Sequence, residues 1–323
     1  MRSAAYSAEK GETMKSKPRS QLIQPSTRAF AREARRVAGY SLFDWLHGYV
    51  YARWPYLYIG IGTGEHWLAR LFGPPVRLLG RLRTGRNAVP ERTTFADTYH
   101  GKVVPLAAAT QLVTVAEDVD LGDLEQTIPY ALARDIVLKN PDHIVVLECP
   151  CRSSRANPCQ PLDVCLIVGE PFASFVAEHH PARSRWISPA EATEILRAEQ
   201  ERGHVSHAFF KDAMLNRFYA ICNCCSCCCG AMQAQRNGTM MIASSGYVAE
   251  VDEGLCTACG ECAEVCQFAA ISVDDAFALI DTSACMGCGV CVAHCPQEAI
   301  SLLRDPTKGE PLEIRELMVR AAK

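Results

Sequence analysis

The chain reads as an α+β protein: a mixed α/β cysteine-rich domain followed by a small domain of short strands and helices. Three observations carry this. A β-type apolar run, His143 to Glu148, feeds into Cys149. Ser188-Pro189-Ala190-Glu191 has the form of a capping box with proline at the first helical position, and Gly203 stops the helix it starts. A repeat with a period of 29 residues begins at Cys256 and Cys285, and each copy ends in a short Ala-Ile-Ser strand start. With 323 residues, 49% of them apolar and 21% charged, the chain is long enough for two or three domains with cores.

Residues 1–39 are expected to be a disordered basic tail. The opening stretch lacks an apolar core and is not a secretory signal, so a cytoplasmic chain is expected. Residues 40–97 form an aromatic, arginine-rich arm, with ten aromatics between Tyr40 and Phe72. Asp44, His47, Arg53, Pro55 and Glu65 interrupt the run, so it does not span a membrane. Tyr and Trp beside Arg over residues 40–83 suit either a peripheral contact at the inner face of a membrane or packing on the cysteine-rich domain. Charge divides the chain: residues 1–102 carry +10 and residues 103–323 carry −13, a statement about partners and not about fold. Scattered arginines without a recognised module argue against nucleic acid. The absence of a phosphate-binding glycine motif argues against nucleotide or flavin.

Residues 98–246 are read as a metal-binding domain. Eighteen cysteines in a cytoplasmic chain point to metal, not to disulfides. Ten fall here: Cys149, Cys151, Cys159 and Cys165 around a strand end, and Cys222, Cys224, Cys225, Cys227, Cys228 and Cys229 in one run. The segment His207 to Asn223 places Phe210, Met214 and Phe218 at helical spacing and predicts a helix that delivers Cys222. Two loops meeting in space could hold one or two further iron–sulfur clusters on a subset of these thiols. Neighbours such as Cys224 and Cys225 point to opposite sides of an extended backbone. Zinc on four thiolates and buried or redox-active thiols are the alternatives. His179, His180, His204 and His207 are either ligands or capping and surface residues. Arg152 and Arg155 either neutralise cluster charge or are solvated.

Both repeats read C-x2-C-x2-C-x3-C. Three cysteines at that spacing wrap three corners of a cubane, and the fourth points away toward the other cluster. Small residues at Ala258, Gly260, Gly287 and Gly289 let backbone N–H groups approach sulfur. Zinc knuckles would use two C-x2-C pairs per metal and leave the third cysteine unexplained. On these motifs, residues 247–304 resemble bacterial-type 2[4Fe-4S] dicluster ferredoxin domains. The resemblance implies one cluster on Cys256, Cys259, Cys262 and Cys295, and another on Cys285, Cys288, Cys291 and Cys266. It further implies two short helices and two hairpins, pairing Tyr247–Asp252 with Ala270–Asp275 and Phe277–Asp281 with Ala299–Asp305. Gln267 stands where the pattern has the proline found at Pro296. The combination of Cys149-Pro150-Cys151-Arg152 with the cysteine run, upstream of such a domain, is similar to larger, functionally unassigned ferredoxin-like iron–sulfur proteins. Cys228-Cys229-Gly230 resembles the cysteine-rich domain of heterodisulfide-reductase-type proteins, but residues 183–221 lack the cysteine that pattern needs. Residues 305–323 are a tail or a helix.

The function expected is an iron–sulfur electron-transfer protein working with a redox partner at low potential, near about −400 mV. The alternatives are a reductase whose middle site binds substrate, and a thiol or cluster redox sensor. A carrier or electron-transfer subunit is preferred to a stand-alone enzyme because no catalytic acid–base pair can be named.

Overall fold

Long, continuous apolar runs make central strands, because both faces of such a strand are covered. In the computed structural model, which describes residues 23–67, 94–122 and 124–322, the run around His143 to Glu148 is the second half of β3 (Ile136–Glu148). The strands β1 (Tyr99–Val103), β2 (Val119–Leu121), β4 (Asp163–Glu170), β5 (Ser184–Ile187), β6 (Val205–Lys211), β7 (Arg217–Cys224) and β8 (Ile242–Ala243) complete the sheet. Its order among the described residues is β2-β3-β4-β7-β6-β1-β8, with β5 also on β3. Neighbours are antiparallel except β1 and β8.

The two faces carry different loads. Ile144, Val146, Leu166, Val168, Phe210 and Ile221 face one way. They are covered by α5 (Leu106–Thr114), α8 (Pro189–Glu201) and α12 (Ile314–Ala321). Val145, Leu147, Cys165, Ile167, Phe209 and Ala220 face the other way, under α1 (Pro25–Ala34), α2 (Leu42–Arg53), α3 (Pro55–Gly62) and α7 (Phe172–His179). Helix α4 (Phe95–Thr98) leads into β1. Gly48 on α2 has no alternative: a Cβ there would stand 1.9 Å from the Ala213 carbonyl oxygen.

Three expectations are corrected. First, the described part of the expected basic tail is ordered: α1 is a helix, and its Phe30 is fully buried. Second, His207 to Asn223 is not a helix but the β6–β7 hairpin, turning through Leu215 and Asn216, both at φ 59. The spacing of Phe210, Met214 and Phe218 was coincidental. The aromatic and apolar run is buried on both faces, which periodicity alone does not separate from a helix. Third, the hairpins of the C-terminal domain pair differently. β9 (Tyr247–Val251) pairs with β12 (Ile300–Arg304), and β10 (Ile271–Val273) pairs with β11 (Ala278–Ile280). Asp274 Oδ1 accepts from the Ala276 and Phe277 N–H groups at 2.8 and 2.9 Å, so a tight local turn closes β10 on β11 and leaves β9 for β12.

The aromatic arm divides. Tyr51 is buried and its hydroxyl meets that of Tyr219 at 2.7 Å, whereas Leu42, Phe43, Leu46, Val50 and Trp54 are exposed. The segment from Leu68 to Arg83 lies outside the described residues. Residues 305–323 include a turn of 3-10 helix (Pro306–Lys308) and α12, whose Ile314 is buried against the sheet.

Candidate metal centres

The C-terminal domain brings its eight cysteines into two sets. The loop after β9 supplies Cys256 and Cys259, and α10 (Glu261–Glu264) carries Cys262. A cavity between them is closed by Cys295, from the other repeat. The loop after β11 supplies Cys285 and Cys288, α11 (Val290–Ala293) carries Cys291, and the cavity there is closed by Cys266. Backbone conformation repeats with the sequence: Ala258 and Gly287, Gly260 and Gly289, and Ala269 and Glu298 all have positive φ. At Gly287 a Cβ would come within 2.1 Å of the Tyr247 carbonyl oxygen, so only glycine fits. Backbone N–H groups of Ala249, Ala270 and Ala299 point at the sulfurs of Cys285, Cys266 and Cys295 at 3.3–3.4 Å. Sulfur-rich cavities lined by small residues and aimed N–H donors fit a cluster whose negative charge such donors stabilise.

The two sets face different surroundings. Cys259 is exposed. On the other set, burial pushes the Cys288 thiol up to about 12, and Met286, Cys288 and Val290 pack into the core under the sheet. Gln267 explains its own departure from the proline pattern. Its Oε1 accepts from the Ser226 N–H at 2.8 Å, tying the domain to the middle of the cysteine run. Gln200 Nε2 donates to Gly289 O at 3.4 Å across the same seam.

The ten middle cysteines also divide. β3 and β7 end beside the start of β4, with Cys165 and Cys222 in register and their sulfurs 3.7 Å apart. Cys149 at the end of β3, Cys151 on α6 (Pro150–Ser153), Cys224 on β7 and Cys229 before α9 (Gly230–Arg236) complete a ring of six around one cavity. Hydrogen bonding to Cys151, then burial, pushes the Cys149 thiol up to about 12. Cys165 is likewise pushed up, by its hydrogen bonds to Cys149 and Cys222 and then by burial. Thiols held neutral in this way must lose protons to take metal. The second group is Cys159, Cys225, Cys227 and Cys228, whose sulfurs all lie within 4.8 Å of one another. Cys225 and Cys228 also reach the wall of the six-thiol cavity. Neighbouring residues separate: Cys224 joins the inner ring and Cys225 the outer group, and Cys228 and Cys229 split in the same way.

Arg152 is not solvated. It is 1% exposed and meets Glu199 at 2.6 Å. It also donates to the carbonyls of Pro161 at 2.5 Å and Asn223 at 3.0 Å, so it binds three cysteine-bearing segments together. Burial alone would raise the Glu199 carboxyl, but the hydrogen bond to His204 and the charge of Arg152 outweigh it and hold it low. Arg155 pairs with Glu65 and donates to Cys228 O at 3.1 Å. His204 meets Glu199 at 2.7 Å, His180 meets Ala52 O at 2.8 Å, and His179 meets Thr27 Oγ1 at 3.2 Å. His207 stands in register with Cys222 and between Phe209 and Phe268. Its Nδ1 bonds Val205 O at 3.1 Å, while its buried Nε2 has no partner. Burial lowers its pKa to about 4.

Two residues escaped sequence reasoning. Glu199 left a signal, a carboxylate in the apolar stripe of α8 with Ala192 and Leu196. Gln267 left only its departure from proline.

A family model described as a 4Fe-4S binding domain matches residues 249–272 and 278–301. No curated protein matches the chain. The C-terminal domain is thus a 4Fe-4S binding domain, and with eighteen cysteines it supports an iron–sulfur electron-transfer protein.

Proposed function

We propose that the chain is an electron carrier with an outer and an inner end. Cys256, Cys259, Cys262 and Cys295 hold one [4Fe-4S] cluster; Cys266, Cys285, Cys288 and Cys291 hold the second; and the six-thiol ring holds a further iron–sulfur cluster. Such clusters supply one-electron chemistry at low potential. The observation that carries the reading is the order of the cavities. The Cys259 side faces solvent, where a redox partner can approach. The Cys288 side is buried in the same apolar core that the six thiols line. Gln267 and Gln200 fix that seam, and Phe268 and His207 fill it. The test is the anaerobically purified full chain, reduced and examined by EPR. Signals from more than the two ferredoxin-type clusters support the reading. Zinc without labile sulfide contradicts it. A reductase reading is favoured by one feature, the cavity enclosed by the six thiols. It predicts that a substrate or small ligand perturbs the spectrum of the middle site alone.

We also propose that the carrier rests on an anionic membrane surface through α2. Leu42, Phe43, Leu46, Val50 and Trp54 form an exposed apolar stripe, 80% and 74% exposed at its start. Arg28, Arg32, Arg35 and Arg53 line an open basin beside it. Apolar side chains at the acyl boundary with arginines at headgroup level are the physical requirements of an interfacial helix. No helix among the described residues is long and apolar enough to cross a membrane.

A further inference from the structure

Among the described residues, the outer four cysteines differ from the other cysteine sets by their closeness. The sulfurs of Cys159 and Cys227 are 3.1 Å apart, those of Cys227 and Cys228 are 3.6 Å apart, and all four lie within 4.8 Å of one another. A single tetrahedral ion with metal–sulfur distances of about 2.3 Å sets its four sulfurs about 3.8 Å apart. A cubane cannot accept that arrangement, because each thiolate binds a different iron and the four irons hold the sulfurs apart. Among the described residues, no other three metal-ligating side chains come as close, those of the two ferredoxin sets included.

The chain geometry agrees. In the ferredoxin repeats, three cysteines separated by two residues each wrap round three corners. Here Cys225, Ser226, Cys227 and Cys228 are consecutive and folded into one turn, closed by the Cys229 N–H on Cys225 O at 3.0 Å. Three sulfurs from one such turn converge on a point. The fourth comes from Cys159, on the loop stiffened by Pro158 and Pro161. The turn is fastened by hydrogen bonds of its own: Gln233 Nε2 donates to Cys227 O at 2.8 Å, Arg155 to Cys228 O at 3.1 Å, and the Ser226 N–H is held by Gln267 at 2.8 Å.

We propose that Cys159, Cys225, Cys227 and Cys228 hold one thiophilic divalent ion, zinc or iron(II), in a closed tetrahedral site, and are not ligands of an iron–sulfur cluster. The ion clasps the loop of Cys159 to the turn that carries Gln267's partner, and so sets the seam between the middle and ferredoxin domains. It takes no part in electron transfer if it is zinc. The inner six thiols are then the only middle cysteines left for a cluster. The proposal does not depend on the carrier reading, since a structural ion would be needed whatever the inner ring does.

The test measures zinc, iron and acid-labile sulfide on the full chain purified anaerobically. The expected result is about one zinc per chain, with X-ray absorption at the zinc edge giving four sulfurs at about 2.3 Å, or, where the ion is iron(II), about one iron in excess of sulfide. In Cys159→Ser that ion is lost or loosened while labile sulfide and the EPR of the ferredoxin clusters stay unchanged. Cobalt(II) loaded in its place should show a tetrahedral tetrathiolate spectrum. The proposal is overturned if wild type holds neither zinc nor excess iron, or if Cys159→Ser loses iron and sulfide together in equal amounts. Absorption at the zinc edge needs no variant and decides the matter for zinc even if Cys159→Ser fails to fold; at the iron edge the cluster irons also carry four sulfurs, so for iron the ratio of iron to labile sulfide decides it.

Discussion

Arg152 shows how one residue can hold a site without touching metal. It follows Cys151, and its guanidinium ties the loop of Pro161 and the end of β7 at Asn223 to the Glu199 carboxylate on α8. Both partners are 1% exposed, so removing one leaves a buried charge unpaired. Glu199→Gln is expected to cost about 3–5 kcal/mol, read as a fall in the denaturant midpoint with unchanged slope. Double replacement with apolar residues should cost less. The pH dependence has a definite sign. The Glu199 carboxyl is held below its ordinary value in the folded chain, so its contribution is present above the unfolded pKa and is lost as pH falls through the folded one. In Glu199→Gln that acid-side loss should be smaller. Unchanged stability in this variant would mean that the guanidinium finds another partner. At the same scale, Cys266 closes the cavity of Cys285, Cys288 and Cys291. Cys266→Ser should therefore alter the EPR signal of that set and spare that of Cys256, Cys259 and Cys262. The opposite pattern would refute crossed ligation.

Elements were legible where a local device wrote them. The Ser188 cap gave α8: its hydroxyl accepts from the Glu191 N–H at 3.2 Å, while the Glu191 carboxylate pairs with Arg185 and not with the cap backbone. The repeated cysteine spacing identified the C-terminal domain. The β6–β7 hairpin was not legible, because buried central strands and buried helices share an apolar run, and no glycine or proline marks the turn at Leu215 and Asn216. Strand pairing in the C-terminal domain was also hidden, since pairing depends on where the chain returns and not on which residues form strands. The two faces of α2 were ambiguous for a related reason. Aromatics lie all round it, and only the sheet decides that Tyr51 turns in and Phe43 turns out. Phe43→Glu with Leu46→Glu should abolish co-sedimentation with vesicles containing acidic lipid while leaving thermal stability within about 0.5 kcal/mol of wild type, as exposed positions allow. Wild-type binding should weaken with salt. Vesicle binding that survives both substitutions would rule out α2 as the contact.

At the scale of the whole molecule, the sheet acts as a rack. β3 and β7 end where β4 begins, and together they present Cys149, Cys165, Cys222 and Cys224 to one cavity, with α1, α2 and α3 closing the same face. Why six thiols crowd into Cys222–Cys229 follows from this: Cys222, Cys224 and Cys229 serve the inner ring, and Cys225, Cys227 and Cys228, in the turn between them, serve the outer group. The sequence suggested that two cysteine loops meet, and in the structure they do. It could not show the division into six and four, which depends on the register of Cys165 with Cys222. Nor could it show that α1 to α3 belong to the same core, so a fragment beginning near Thr98 would expose the face that bears the cysteines. The direct test is therefore made on the full chain: acid-labile sulfide per polypeptide after anaerobic purification and reconstitution. Two ferredoxin cubanes account for about eight sulfides. The account predicts clearly more than eight, with the excess lost in Cys149→Ser/Cys165→Ser and the ferredoxin EPR retained. Eight or fewer, with the six inner thiols all open to titration, would contradict it.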